Sequence, residues 1–179
     1  STTNNTNQKT ALISDISNLE GEVTALIEDV RRSDEEQPSI SNLTSVVSHR
    51  MGFWQVVAAA QDRPLKIELP EKENIIVASP DAEILTALDN LVQNVLTHTP
   101  VGTQFSVKIT SEPPSLIVSD EGEGLSSPDV FDRGASTRES SGLGLDIVRK
   151  IAEASGGDVR IGEGKGTTIV VRFGIPAKE

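Results

Sequence analysis

The chain has no cysteine. Disulfide scaffolds, thiolate metal sites and a cysteine nucleophile are therefore excluded. Two histidines in 179 residues leave little room for a zinc site. Basic residues are in the minority, 16 Lys and Arg against 27 Asp and Glu, for a formal net charge of −11. Such a balance does not suit a nucleic-acid partner, whose phosphates select Lys- and Arg-rich faces. Long apolar runs are missing too: Val56 to Ala60 is among the longest and is far too short to span a bilayer. The N-terminus is polar rather than basic and then apolar, so no signal peptide is expected. What remains is a soluble, intracellular chain long enough to bury a core of its own.

Residues 1–10 are polar and read as disordered. Leu12, Ile16, Leu19, Val23, Leu26 and Val30 then recur at alternating spacings of four and three, a heptad seam along one helix. Its other positions are polar, so the seam needs a partner helix; a helix lying on the globular domain is the alternative. Gly21 weakens this helix by about 1 kcal/mol relative to alanine. The acidic stretch Arg31 to Pro38 reads as a linker and marks a boundary. The division expected is a seam helix with its linker at 11–37 and a globular domain at 38–179.

Beyond the linker, a helix is expected from about Asn42 to Ala60, with Leu43, Val46, Val47, Trp54 and Val57 inward. Leu65 to Leu69 alternates as a strand, and Ile75 to Ala78 is a second. Ser79-Pro80-Asp81 opens a helix to about His98, with Ser79 as the capping hydroxyl. Further strands follow at Phe105 to Ile109 and Leu116 to Val118, then a long loop from Glu121 to Ser141. Leu143 to Ala154 reads as a helix stopped by Gly156-Gly157. Asp158 to Ile161 and Thr167 to Phe173 then form a hairpin around a glycine-rich turn. The class is α+β, with five or six strands in one sheet and helices against one face.

Three constellations could carry chemistry. Asn90 and Asn94 are one turn apart beside the apolar stripe Ile84, Leu88, Leu91 and Val95. Two carboxamide oxygens there suit a hard cation such as Mg2+, although solvated or capping asparagines are the plainer reading. Val118 to Gly124 ends a strand in Asp120 and two alternating glycines, Gly122 and Gly124. A carboxylate held there can accept a hydrogen bond from an exocyclic amine, and the glycines admit close backbone approach; a tight acidic turn is the alternative. Gly142-Leu143-Gly144 leads into a helix whose first N–H groups are free to bind an anion, or simply begins a helix.

In this order and spacing, Ala87 to Pro100, Asp120 to Gly124, Val130 to Gly134 and Gly142 to Gly157 resemble the ATP-binding domain of sensor histidine kinases, a branch of the Bergerat-fold (GHKL) ATPase superfamily. The resemblance covers about residues 40–176 and implies a two-layer α/β sandwich with a mixed sheet. The seam helix resembles the second helix of the family's dimerisation and phosphotransfer hairpin, which implies a coiled-coil-like homodimer. By the same resemblance, Asp120 reads the adenine amine, with Gly122 and Gly124 in the turn beside the purine. Asn94 is the Mg2+ ligand with Asn90 beside it, and Gly142, Leu143 and Gly144 lie at the phosphates. Thr168 places a hydroxyl near the base. Residues 125–141 match the mobile lid, in which Arg138 is the candidate for the γ-phosphate and Arg133 pairs within the Phe131 motif. ATP and Mg2+ are the cofactors implied. The acidic residues from Asp120 to Ser141 would repel a triphosphate without a divalent cation.

Two departures from the family pattern stand out. Many relatives carry Lys or Arg three residues after the metal asparagine, where this chain has Thr97. No histidine followed by an acid precedes the seam; His49 and His98 have the wrong neighbours and read as structural or solvated. The phosphoacceptor histidine is therefore expected outside this sequence. Superfamily members that hydrolyse ATP, such as gyrase, MutL and Hsp90 types, place a glutamate four residues before the metal asparagine. Asn90 occupies that position and cannot act as a general base. The function implied is transfer of the ATP γ-phosphoryl to a histidine and thence to a response-regulator aspartate. An anti-sigma-type serine kinase and a nucleotide-sensing or dimerisation module are the alternatives. The resemblance also implies the cytoplasmic portion of a larger sensor, with any membrane contact made by segments outside this sequence.

Overall fold

The computed structural model describes residues 40–70, 74–124 and 143–177. The chain divides into two units, Ser1–Pro38 and Ser39–Glu179, and every described element belongs to the second. The N-terminal tail, the seam helix, the linker, the lid with Arg133 and Arg138, and Gly142 lie outside the described residues.

The elements in chain order are β1 (Ser41–Asn42), α1 (Leu43–Ala60), β2 (Leu65–Glu68), β3 (Ile76–Val77), α2 (Asp81–His98), β4 (Phe105–Ser111) and β5 (Pro114–Asp120). They continue with α3 (Leu143–Ala154), β6 (Asp158–Ile161) and β7 (Thr168–Arg172). Five strands form one sheet in the order β2-β4-β5-β7-β6. β2 runs parallel to β4 and the other neighbours are antiparallel, so the sheet is mixed. α2 and α3 pack on each other and on this sheet, and α1 packs on α2. The result is the expected two-layer α+β architecture.

One expectation needs correcting. β3 does not join the large sheet; it pairs with β1 in a separate two-stranded ribbon, Ser41 opposite Val77 and Asn42 opposite Ile76. A two-residue strand has no period to read, so β1 was invisible in the sequence. Asn42 then serves as N-cap of α1, its side-chain oxygen accepting from the Ser45 N–H.

Strand alternation puts Phe105, Val107 and Ile109 of β4 and Leu116 and Val118 of β5 into the core, against Ile84, Leu88, Leu91, Val92 and Val95 of α2. In α1 the fully buried stripe is Leu43, Val47, Met51, Trp54 and Ala58. Val46 and Val57, expected inward, are only partly buried flanks of it. Met51 and Ala58 take the central line because steps of three and four keep them on one face. The opening of α2 also differs from expectation. Pro80 is the N-cap with no side-chain cap, and the buried Ser79 hydroxyl meets Glu83 instead. α3 ends as expected: Gly156 has φ +89°, a conformation that favours glycine, and the Gly157 N–H closes back to the Ala152 carbonyl.

A polar clamp sets the rotation of α2. Arg50 donates through Nε and Nη2 to the two oxygens of Asp89, at 2.9 and 2.7 Å, and the Trp54 indole N–H donates to Asp89 at 2.8 Å. Asp89 directly precedes Asn90, so anchoring Asp89 to α1 fixes the rotation at which α2 presents both asparagines on its neighbouring face. Asp89→Ala leaves the buried Trp54 N–H without its acceptor, at a cost of about 1–3 kcal/mol. Because Trp54 is the only tryptophan, both the melting temperature and the wavelength of tryptophan emission are expected to change. An unaltered melt and spectrum would show that the clamp holds nothing.

Candidate functional site

The site gathers where β5 ends. Leu116 and Val118 face the helices, and Asp120 continues that parity. A carboxylate thus stands at a core-facing position and is 7% exposed. Two peptide N–H groups hold its Oδ1, that of Gly122 at 2.8 Å and that of Thr167 at 3.3 Å. The Asp120 N–H in turn donates to the Thr167 carbonyl at 2.9 Å. Among the described residues nothing donates to Oδ2, which leaves one carboxylate oxygen open to an incoming donor.

The tightness of this arrangement comes from missing side chains. A Cβ on Gly166 would lie 2.2 Å from the Asp120 carbonyl oxygen, 2.6 Å from its Oδ1 and 2.7 Å from the Gly122 nitrogen. A Cβ on Gly122 would lie 2.8 Å from the Thr99 methyl and 2.9 Å from Asp120 Oδ1. Gly124 follows with φ +84°. Gly166 was not singled out in the sequence; it reads there as one glycine of a loose hairpin turn, and only the fold brings it onto Asp120.

α2 supplies the rest. Asn90 donates through Nδ2 to the Thr86 carbonyl at 2.8 Å, which fixes its amide. Its Oδ1 faces the start of α3, 3.0 Å from where a Cβ on Gly144 would be. Asn94 is one turn further along the same face, half-buried, and its side chain makes no hydrogen bond among the described residues. Thr99, just past the end of α2, reaches Gly122. One helix therefore touches the glycine entry of α3 from its middle, through Asn90, and the Asp120 turn from just past its C-terminal end, through Thr99. Leu143 and Gly144 open α3.

Thr168 is placed differently from expectation. Its register partner is Ser119, and its hydroxyl bonds Ser119 Oγ at 3.0 Å, on the sheet face away from Asp120. Gly162 and Gly164 cover it. Thr167, one residue earlier, has the parity of Asp120 and supplies the second N–H to it. The face is set by the β5–β7 register, which pairs Thr168 with Ser119 and so leaves Thr167 opposite Asp120. The rim carries charge that is already matched: Glu121 accepts from Gln104 and lies 3.6 Å from Lys165. Among the described residues no three His, Asp or Glu side chains converge as a metal site. His49 and His98 are exposed on their helices.

Gly166→Ala tests this construction directly. The added methyl must push the hairpin off Asp120, so the Gly122 and Thr167 amides are expected to exchange with solvent at least about tenfold faster. Unchanged protection of both amides would mean that Gly166 does not hold the turn.

Comparison with known proteins agrees with this geometry. The family model of histidine kinase-, DNA gyrase B- and HSP90-like ATPases matches residues 81–178. The sensor histidine kinase WalK of Bacillus subtilis is 38% identical over 127 residues, covering 62% of this chain and 20% of WalK. The sensor protein KdpD of Clostridium acetobutylicum is 30% identical over 125 residues, covering 62% of this chain and 14% of KdpD. The chain thus spans a fifth or less of the length of these two relatives. Among solved structures, the catalytic domain of histidine kinase ThkA superposes with a TM-score of 0.66 at 20% identity, over 75% of this chain and 95% of that one. The mycobacterial sensor histidine kinase MprB gives 0.63 at 22% identity, over 79% and 100%. These two establish the fold. With more than half its length matched by the family model, the chain belongs to the histidine kinase-, DNA gyrase B- and HSP90-like ATPase family.

Proposed function

We propose that this chain is the ATP-binding catalytic core of a sensor histidine kinase. It would pass the γ-phosphoryl of ATP to a histidine outside this sequence and thence to an aspartate of a response regulator. The observation that carries the reading is the half-open carboxylate of Asp120, one oxygen fixed by two peptide N–H groups and the other available. An adenine amine fits that oxygen: it donates, whereas guanine presents an acceptor at the same edge. Gly122 and Gly124 would form the turn beside the base, and the Thr167 peptide N–H steadies the carboxylate from the other side. That the relatives bear the names of sensor kinases supports the choice within the family.

The phosphate end follows from α2 and α3. The residues fit a Mg2+ ion: Asn94 offers an oxygen ligand with no competing partner among the described residues, and Asn90 keeps its own oxygen directed at Gly144. Magnesium is commonly held by one or two protein oxygens together with substrate phosphates. When bound, the ion would offset phosphate charge beside this acidic chain. Gly142, Leu143 and Gly144 would present peptide N–H groups to the phosphates, and Arg138 of the lid would reach the γ-phosphate. Asn90 stands where a hydrolase needs a base, and an amide cannot take a proton from water. The γ-phosphoryl therefore waits for a positioned imidazole: the bond to the β-phosphate oxygen breaks, a phosphorus–nitrogen bond forms, and ADP leaves. Dimerisation through the N-terminal seam would bring two such cores to a shared acceptor hairpin.

Calorimetric titration of ATP, with and without Mg2+, tests the site. Asp120→Asn is expected to weaken ATP binding about 10- to 100-fold with the circular dichroism spectrum unchanged. Asn94→Ala should abolish the difference that Mg2+ makes. Native affinity in the first variant, or a preserved metal effect in the second, contradicts the assignment. The transfer itself is tested by adding a separate acceptor hairpin with γ-labelled ATP. Acid-labile, base-stable label on histidine is expected; label on serine, or binding with no label, would refute the histidine kinase reading.

A further inference from the structure

Arg63 lies outside every motif that drew attention in the sequence, yet it is 4% exposed. Among the described residues its guanidinium meets no carboxylate. A buried charge of this kind is costly unless its donors are satisfied. Here they are. Nε donates to Gln61 Oε1 at 2.8 Å and Nη1 to the Thr99 hydroxyl at 2.7 Å. Nη2 donates to the carbonyls of Leu96 at 3.2 Å and Thr99 at 2.9 Å. The two carbonyls belong to the C-terminal end of α2, where acceptors lack helical partners and the helix dipole is negative. The planar fork of arginine serves all four acceptors; a lysine ammonium offers three donors from one point.

Thr99 is the residue this cap immobilises. Its hydroxyl accepts from Arg63 and donates to the Val95 carbonyl at 2.6 Å, so its rotamer is fixed from both sides. The remaining substituent, its methyl, is thereby turned onto Gly122, 2.8 Å from where a Cβ would stand. Gly122 is the residue whose N–H holds Asp120 Oδ1. An unbroken chain of contacts thus runs from Arg63 through Thr99 and Gly122 to the carboxylate.

We propose that Arg63 is a positioning residue for base recognition: it locks Thr99 so that the Thr99 methyl backs the Gly122 turn and holds the open oxygen of Asp120 at the angle that selects an adenine amine. This rests on the purine assignment made for Asp120 above. Arg63 itself touches no nucleotide; it acts through Thr99.

The test compares dissociation constants for ATP and GTP, with Mg2+, in the full chain. Thr99→Ser keeps both hydrogen bonds and removes only the methyl. Arg63→Lys removes the fork. Each is expected to lower the preference for ATP over GTP about tenfold, and neither should lower it further in an Asp120→Asn background. Thr99→Ser should melt within a few degrees of the parent, so it decides the matter if Arg63→Lys fails to fold. A lowered melting temperature with the ATP preference intact in both variants would mark the cap as merely structural and overturn the proposal. The two levels separate cleanly. If Asp120→Asn itself leaves the preference unchanged, the purine assignment falls and the proposal with it. If Asp120→Asn abolishes the preference while Thr99→Ser and Arg63→Lys retain it, the positioning role alone falls.

Discussion

The structure turns on one carboxylate held at the end of a strand by peptide N–H groups. Asp120 sits at a position whose parity calls for an apolar side chain, because Leu116 and Val118 on the same face are both in the core. A carboxylate is tolerable there only when hydrogen-bonded. Gly122 and Thr167 supply the bonds to one oxygen, and they can approach because positions 122 and 166 carry no side chain. The same crowding that fixes Oδ1 leaves Oδ2 unengaged among the described residues. The candidate site is a corner in which one acceptor stays unmatched among the described residues.

α2 works as the ruler of the site. The Arg50–Asp89–Trp54 clamp fixes its rotation from one side, and the Arg63 cap fixes its C-terminal end. Asn90 meets Gly144, the Asn94 side chain makes no hydrogen bond among the described residues, and Thr99 meets Gly122. Arg50, Trp54 and Arg63 all precede the family's matched region, so the helix that carries the site depends on a helix and a turn outside it. Packing energy in α1 is thus converted into geometry at the site.

Much of this was legible in the sequence, for identifiable reasons. β4 alternates cleanly, the limits of α3 are set by Leu143 and by Gly156-Gly157, and the β6–β7 hairpin is marked by its glycine-rich turn. Asp120, Gly122, Asn90, Asn94 and Gly144 stand out as candidates because their local spacings, taken together in order, resemble one family's motifs. What could not be read was set by contacts distant in sequence. The bonds from Arg63 to Thr99 cross 36 residues and that from Thr167 to Asp120 crosses 47. Gly166 and Thr99 look ordinary until the fold brings them together. The choice between Thr167 and Thr168 depends on the β5–β7 register, and a shift of one residue inverts the face. β1 was too short to show a period, and Ser79 resembles a cap because Pro80 separates it from the helix by only one residue.

The most direct measurement is the change in amide chemical shifts as Mg2+ and ATP are added to the isotopically labelled chain. The account predicts saturable shifts of the Gly122, Thr167 and Gly144 amides together, with the β1–β3 ribbon unmoved. Shifts confined to other surfaces, or no shift at these three amides at saturating nucleotide, would contradict it.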